Sequence, residues 1–71
     1  MMFNNKVFSD RLSDLMERAN ISALALSKII GFSDTTILKW KKGKIIPTID
    51  KLYALCQYFD VSADYLIGLE D

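Results

Sequence analysis

Residues 21–43, ISALALSKIIGFSDTTILKWKKG, read as two short helices joined by a tight turn. Ser22 is placed to cap the first of them through its hydroxyl, and Gly31 permits the positive φ that a sharp exit needs. Ser33 is placed to cap the second. Asp34 sits in its first turn, where a carboxylate meets the positive end of the macrodipole, while Lys39, Lys41 and Lys42 crowd the negative end. Gly43 closes it.

At about 100° per residue, Ile37 and Trp40 fall on one side of the second of these helices as an inward stripe. Asp34, Thr35, Leu38, Lys39 and Lys42 fall on the other, within an arc of roughly 140°. Short polar groups, one aliphatic side chain and two lysines suit base edges and a thymine methyl. Two short helices so joined make a helix-turn-helix, whose second helix lies in the major groove of DNA. The lysines from 39 to 44 have a plainer alternative, which is to keep a helix end solvated.

The rest of the composition narrows the classes. A chain of 71 residues makes one domain and buries only about 60% of the surface it would expose unfolded. Its hydrophobic share of 51% suits a small all-helical core without metal or disulfide. One cysteine and no histidine leave no internal bridge and no zinc ligand set. Cys56 therefore reads as a small hydrophobe, the natural setting is a reducing cytoplasm, and no cofactor is expected. Neither a signal peptide nor a membrane span is expected, because no apolar run approaches the ~20 residues required. Net charge is zero, yet Lys28, Lys39, Lys41, Lys42, Lys44 and Lys51 against Asp34 and Asp50 give residues 28–51 a charge of +4, and the remainder −4. Such a dipole turns its positive end toward phosphate.

Along the chain, residues 1–6 lack periodicity and read as a flexible arm, with the core at 7–69. Phe8, Leu12, Leu15, Met16 and Ala19 predict an amphipathic first helix, with Asp10, Arg11, Asp14, Glu17 and Arg18 outward and Asn20 at its end. In the second helix Leu26 and Ile30 point inward beside Ala23 and Ser27, and Leu24, Ala25 and Ile29 point elsewhere. Pro47 interrupts the chain after the third helix. Thr48 is expected to cap a fourth helix with Ile49, Leu52, Leu55, Cys56 and Phe59 inward, and Asp60 to take the turn. A short fifth helix follows, capped by Ser62, with Leu66 inward and Gly68 as its stop. Tyr53, Tyr58, Tyr65, Ile67 and Leu69 exceed the needs of one small core, so some of them are candidates for a dimer contact.

From about Phe8 to Gly68 the chain resembles the Cro/C1-type, or XRE-like, helix-turn-helix family of bacterial and phage repressors. The resemblance rests on LSKIIGFS at 26–33, TILKWKKGK at 36–44, Pro47-Thr48, and VSADYL at 61–66, in that order and spacing. It implies an all-α, five-helix, lambda-repressor-like domain whose third helix is the recognition helix, binding operator DNA as a dimer. Carried over residue by residue, base-reading positions fall on Asp34, Thr35 and Lys39 with Leu38 beside them, and phosphate positions on the start of the second helix, on Ser33, and on Lys42 and Lys44 in the loop after the third. Many members have a Gln at the start of the second helix that hydrogen-bonds DNA; this chain has Ala23 there, so one contact is gone. Members also commonly pair a Glu after the Trp with an Arg in the first helix; here the two positions are Lys41 and Met16. Losing both partners together avoids a stranded charge and leaves Lys41 free for a phosphate. Asp34 either stabilises the helix N-terminus or filters out wrong sequences, because a carboxylate in the groove repels phosphate unless it accepts from cytosine N4 or a neighbouring lysine.

The expected function is thus a sequence-specific regulator of transcription, a repressor that occupies a palindromic operator on double-stranded DNA as a homodimer. Its dimer contact is expected at Tyr58, Tyr65, Ile67 and Leu69. The expected location is the bacterial cytoplasm, at the nucleoid. The alternative is a protein-interaction module on the same fold, antitoxin-like, using Leu24, Ile29 and the tyrosines against a protein partner. No enzyme is expected, nor a small-molecule substrate or membrane partner: the lone Cys lies on an inward face, and no phosphate loop or paired carboxylate cleft is readable.

Overall fold

A computed structural model of the chain describes residues 3–70 and, among them, five helices: α1 (Asn5–Arg18), α2 (Ala23–Ile30), α3 (Asp34–Lys41), α4 (Ile49–Phe59) and α5 (Ala63–Ile67). Each begins and ends for a local reason. The Ser22 hydroxyl accepts from the Ala25 N–H, Ser33 from Thr36 and Ser62 from Tyr65, so three serines satisfy donors that would otherwise be unpaired. Every helix is followed by a residue in the left-handed region, Asn20, Gly31, Gly43, Asp60 and Gly68. At four of these exits the next N–H reaches back to a carbonyl of the last turn: Ile21 to Met16, Lys44 to Lys39, Val61 to Cys56 and Leu69 to Asp64.

Two expectations about helix starts are corrected. The arm does not extend to Lys6: the Asn4 side chain accepts from the Lys6 N–H and starts α1 there, while Met1 and Met2 lie outside the described residues. Thr48 occupies the cap position of α4 without a side-chain cap bond. Its hydroxyl donates instead to the Asp50 carboxylate, and that hydrogen bond holds the Asp50 carboxyl below the ordinary carboxylate range.

Phe8, Leu12, Met16, Leu26, Ile37, Trp40, Leu55 and Leu66 form the buried core, to which every helix contributes. α1 packs on α3 and α5, α2 on α3 and α4, and α4 on α5. Met16 is part of that core. Ile49 is not: it is 85% exposed, because a first-turn side chain leans back toward the preceding loop rather than onto the core. Ala19 is exposed too, whereas Ser9, expected on neither face, is buried and donates to the Lys6 carbonyl at 3.1 Å. Cys56 is half-buried, and desolvation pushes its thiol up from the ordinary value.

Arg11 also departs from its expected outward position. Its guanidinium donates to the Tyr65 and Glu70 carbonyls and lies 4.5 Å from the Tyr65 ring centroid. A cation at the C-terminal end of α5 thus ties that short helix to α1. Gly68 brings the same two elements together, since a Cβ there would meet Val7 Cγ1 at 2.9 Å, at a φ of +91°. We expect Gly68→Ala to lose about 1–2 kcal/mol for the backbone conformation alone, and more for the Val7 contact. Gly31, at φ +81° with nothing within 4 Å of its Cβ position, should lose only the backbone part. Urea midpoints of the two alanine variants compare them; equal midpoints would mean that Val7 yields without cost.

Candidate nucleic-acid interface

The core holds α3 by Ile37 and Trp40, both essentially inaccessible, with the Trp40 ring edge-on to Phe32 at 6.1 Å between centroids. That anchoring leaves the opposite side of the helix uncovered. Thr35 and Lys39 are exposed, Leu38 is 42% exposed, and Asp34 is half-buried. Small residues let α2 approach: Ala23 is half-buried, and the buried Ser27 donates its hydroxyl to the Leu24 carbonyl at 2.6 Å. Leu24 and Ile29, on the outer side of α2, are 54% and 56% exposed.

At the C-terminal end of α3 the exit holds three lysines close to one another. The Lys44 N–H donates to the Lys39 carbonyl at 3.0 Å, and Gly43 N–H donates to Trp40 at 3.1 Å. This folds the loop back over the last turn, and Lys39, Lys42 and Lys44 are all exposed there. Lys41 differs. It follows buried Ile37 by four residues and is half-buried. The Ser33 hydroxyl, besides accepting from Thr36 N–H at 3.1 Å, lies 2.8 Å from the Thr36 hydroxyl. It is engaged in the cap.

Charge is distributed to match. Lys6 pairs with Asp10 and Arg18 with Asp14 along α1, whereas among the described residues no lysine of α3 or of the loop after it pairs with a carboxylate. Apart from Asp34 on α3 and Asp50 on α4, the acidic side chains of the described residues lie on α1 and around α5, two elements that pack together. No cluster able to hold a metal occurs among the described residues, and no helix there is long and apolar enough to cross a membrane.

Of the four residues expected at a dimer contact, Tyr65 and Ile67 line different grooves. Tyr65 lies under Arg11 and lines a shallow groove with Leu15, Arg18 and Val61. Ile67 lines a different one, a largely apolar groove of about 200 Å³ with Phe3, Ile46, Pro47, Ile49 and Leu52. Tyr58 is partly exposed and set edge-on against Phe59, and Leu69 is 61% exposed. The groove beside Ile67 was not legible from the sequence, because Ile49 reads there as a core residue.

Known proteins bear on this geometry. Residues 10–71 match the helix-turn-helix domain family. The chain is 30% identical over 64 residues to the HTH-type transcriptional activator BcrR of Enterococcus faecalis, covering 90% of this chain and 31% of that protein. It is 28% identical over 64 residues to repressor protein C2 of Salmonella phage P22, covering 90% and 30%. The chain thus spans about a third of the length of these relatives. The solution structure of the SOS-response transcriptional repressor LexA from Eubacterium rectale superposes with a TM-score of 0.85 at 33% identity, over the whole of this chain and 76% of that one.

Proposed function

The chain belongs to the helix-turn-helix domain family of transcription regulators, and from that premise we propose that it binds double-stranded DNA sequence-specifically with α3 in the major groove. The observation that carries the reading is the uncovered side of α3, where Thr35, Leu38 and Lys39 stand exposed while Ile37 and Trp40 fix the helix from behind. A thymine methyl suits Leu38, and guanine O6 or N7 suits Lys39. Asp34 would accept from cytosine N4 or reject other bases. Lys42 and Lys44 would neutralise phosphates, with Ser33 and the less accessible Lys41 as further backbone contacts.

Repression by occupying a promoter is the regulatory sense we favour, supported by the likeness to the LexA and C2 repressors; the relative BcrR is an activator. One recognition helix covers few base pairs, so a homodimer on a palindromic operator is the economical arrangement. Of the four candidate contacts we favour Ile67, which lines the apolar groove with Ile46 and Ile49, and the exposed Leu69 two residues on. Tyr65 is turned toward α1 instead, and Tyr58 would extend the contact along α4. On this reading we propose the bacterial cytoplasm, at the nucleoid, as its location.

The second reading, a protein-interaction module, draws on the exposed Leu24 and Ile29 of α2 and on zero net charge. Salt separates the two. Binding to duplex DNA should weaken with a log–log slope of about −0.9 for each phosphate neutralised. A complex that forms with a protein and is indifferent to salt, with no duplex binding at low salt, would favour the second reading.

A further inference from the structure

Gly43 is half-buried between two exposed lysines, Lys42 and Lys44. Its φ is +74°, and a Cβ built on it would lie 3.6 Å from Ser9 Oγ and 3.9 Å from Ser9 Cβ. The backbone leaving α3 thus passes over Ser9 of α1, with room between them for a Cβ and little else. Ser9 is only 6% exposed, and a helix position so buried is usually filled by a large apolar side chain. Its hydroxyl donates within its own helix, to the Lys6 carbonyl at 3.1 Å. What Ser9 offers the exit of α3 is therefore a small volume rather than a bond. The exit depends on its position, because the Gly43 N–H donates to the Trp40 carbonyl at 3.1 Å and the Lys44 N–H to the Lys39 carbonyl at 3.0 Å, and such bonds weaken steeply when their geometry is disturbed.

We propose that Ser9 is a positioning residue for DNA binding: a small side chain beneath Gly43 lets the exit of α3 settle on α1, and so fixes the backbone from which Lys42 and Lys44 reach phosphates. The inference rests on the DNA-binding reading above. Ser9 itself is buried and acts only through the exit. A backbone already held in place loses less freedom when both lysines engage phosphate. Phosphate contacts carry no sequence information, so displacing the exit weakens all sequences alike. The base-reading side of α3 is spared, because Ile37 and Trp40 anchor that helix independently of the exit.

The test uses the whole chain, Ser9→Leu and Ser9→Ala, and two duplexes, one selected for binding and one scrambled. Leucine fills the space beneath Gly43; alanine removes the hydroxyl and leaves that space open. Ser9→Leu should lower affinity for both duplexes in the same proportion and reduce the salt slope by about 0.9 for each phosphate contact given up. Raising salt from about 50 to 200 mM should then weaken the variant about threefold less than the parent for each such contact. In the protein without DNA, the Lys44 amide, which donates to the Lys39 carbonyl, should exchange its hydrogen faster in Ser9→Leu. Ser9→Ala should keep the parent's slope and exchange. Affinities are measured below the thermal midpoint of each variant, and Ser9→Val, with a smaller side chain, carries the same comparison if Ser9→Leu does not fold. A parent-like slope in the folded bulky variant would overturn the role of Ser9 and leave the DNA-binding reading standing. So would a fall in the thermal midpoint with no change in slope, which is what a packing role gives, or an equal loss of slope in Ser9→Ala, which would assign the effect to the hydroxyl. If the parent itself shows no salt-dependent duplex binding, the DNA-binding reading fails and this role with it.

Discussion

Trp40→Ala should remove about 3–5 kcal/mol of folding stability, the largest loss expected from any single change in this chain. Trp40 is 1% exposed, sits in the core with residues from all five helices, and meets Phe32 edge-on. Truncating it leaves a cavity where α1 and α2 both pack on α3, and a domain of this size has only roughly 4–10 kcal/mol in total. Much of the population should then be unfolded at moderate temperature, with DNA binding lost in proportion. The measurement is urea unfolding followed by circular dichroism, since the variant lacks the chain's one tryptophan. Leu24→Ala, on the exposed side of α2, is the control and should stay within about 0.5 kcal/mol of the parent. Similar midpoints for the two variants would mean that α3 is not held in the way described.

The second large effect divides the lysines by position. Lys39 stands in the exposed arc with Thr35, whereas Lys42 and Lys44 lie at and beyond the helix end. Lys39→Ala should cost about 1–3 kcal/mol on the preferred site and relax the preference at one base pair of each half-site. Lys42→Ala with Lys44→Ala should weaken every sequence about equally and reduce the salt slope by roughly 0.9 per contact, near two in all. Affinities of both variants for preferred and scrambled duplexes, at two salt concentrations, decide it. A proportional loss on both duplexes for Lys39→Ala would make Lys39 a phosphate contact and shift base reading toward Asp34 and Leu38.

Local signals were legible in the sequence and non-local ones were not. Ser22, Ser33 and Ser62 could be placed as caps and Gly31, Gly43 and Gly68 as exits, because capping is decided within a few residues. The inward pairs Leu26 with Ile30 and Ile37 with Trp40 followed from helical periodicity. Ile49 defeated the same rule, since its apolar character and spacing fit the core while its first-turn position directs it over the loop. Asn4 was missed as a cap because no apolar stripe begins until Phe8. Arg11 on the end of α5 and Lys51 on Phe32 join residues far apart in the chain. No spacing rule reaches them.

The candidate interface divides along the same line. Its uncovered face was readable because Ile37 and Trp40 fix the rotation of α3, and once they are buried the placement of Thr35 and Lys39 follows. The separation of Tyr65 from Ile67 was not readable. Two residues apart on a helix they point in nearly opposite directions, and only the packing of α5 between α1 and α4 assigns a neighbour to each.

Whether α3 reads base sequence is decided by selection of bound duplexes from a random DNA pool. Base reading by α3 should enrich a palindromic motif whose half-sites lie about 10 to 11 base pairs apart between centres, with Lys39→Ala losing preference at one position of each half-site. A pool that stays random after repeated rounds at low salt, although the folded protein retains duplex, would contradict it.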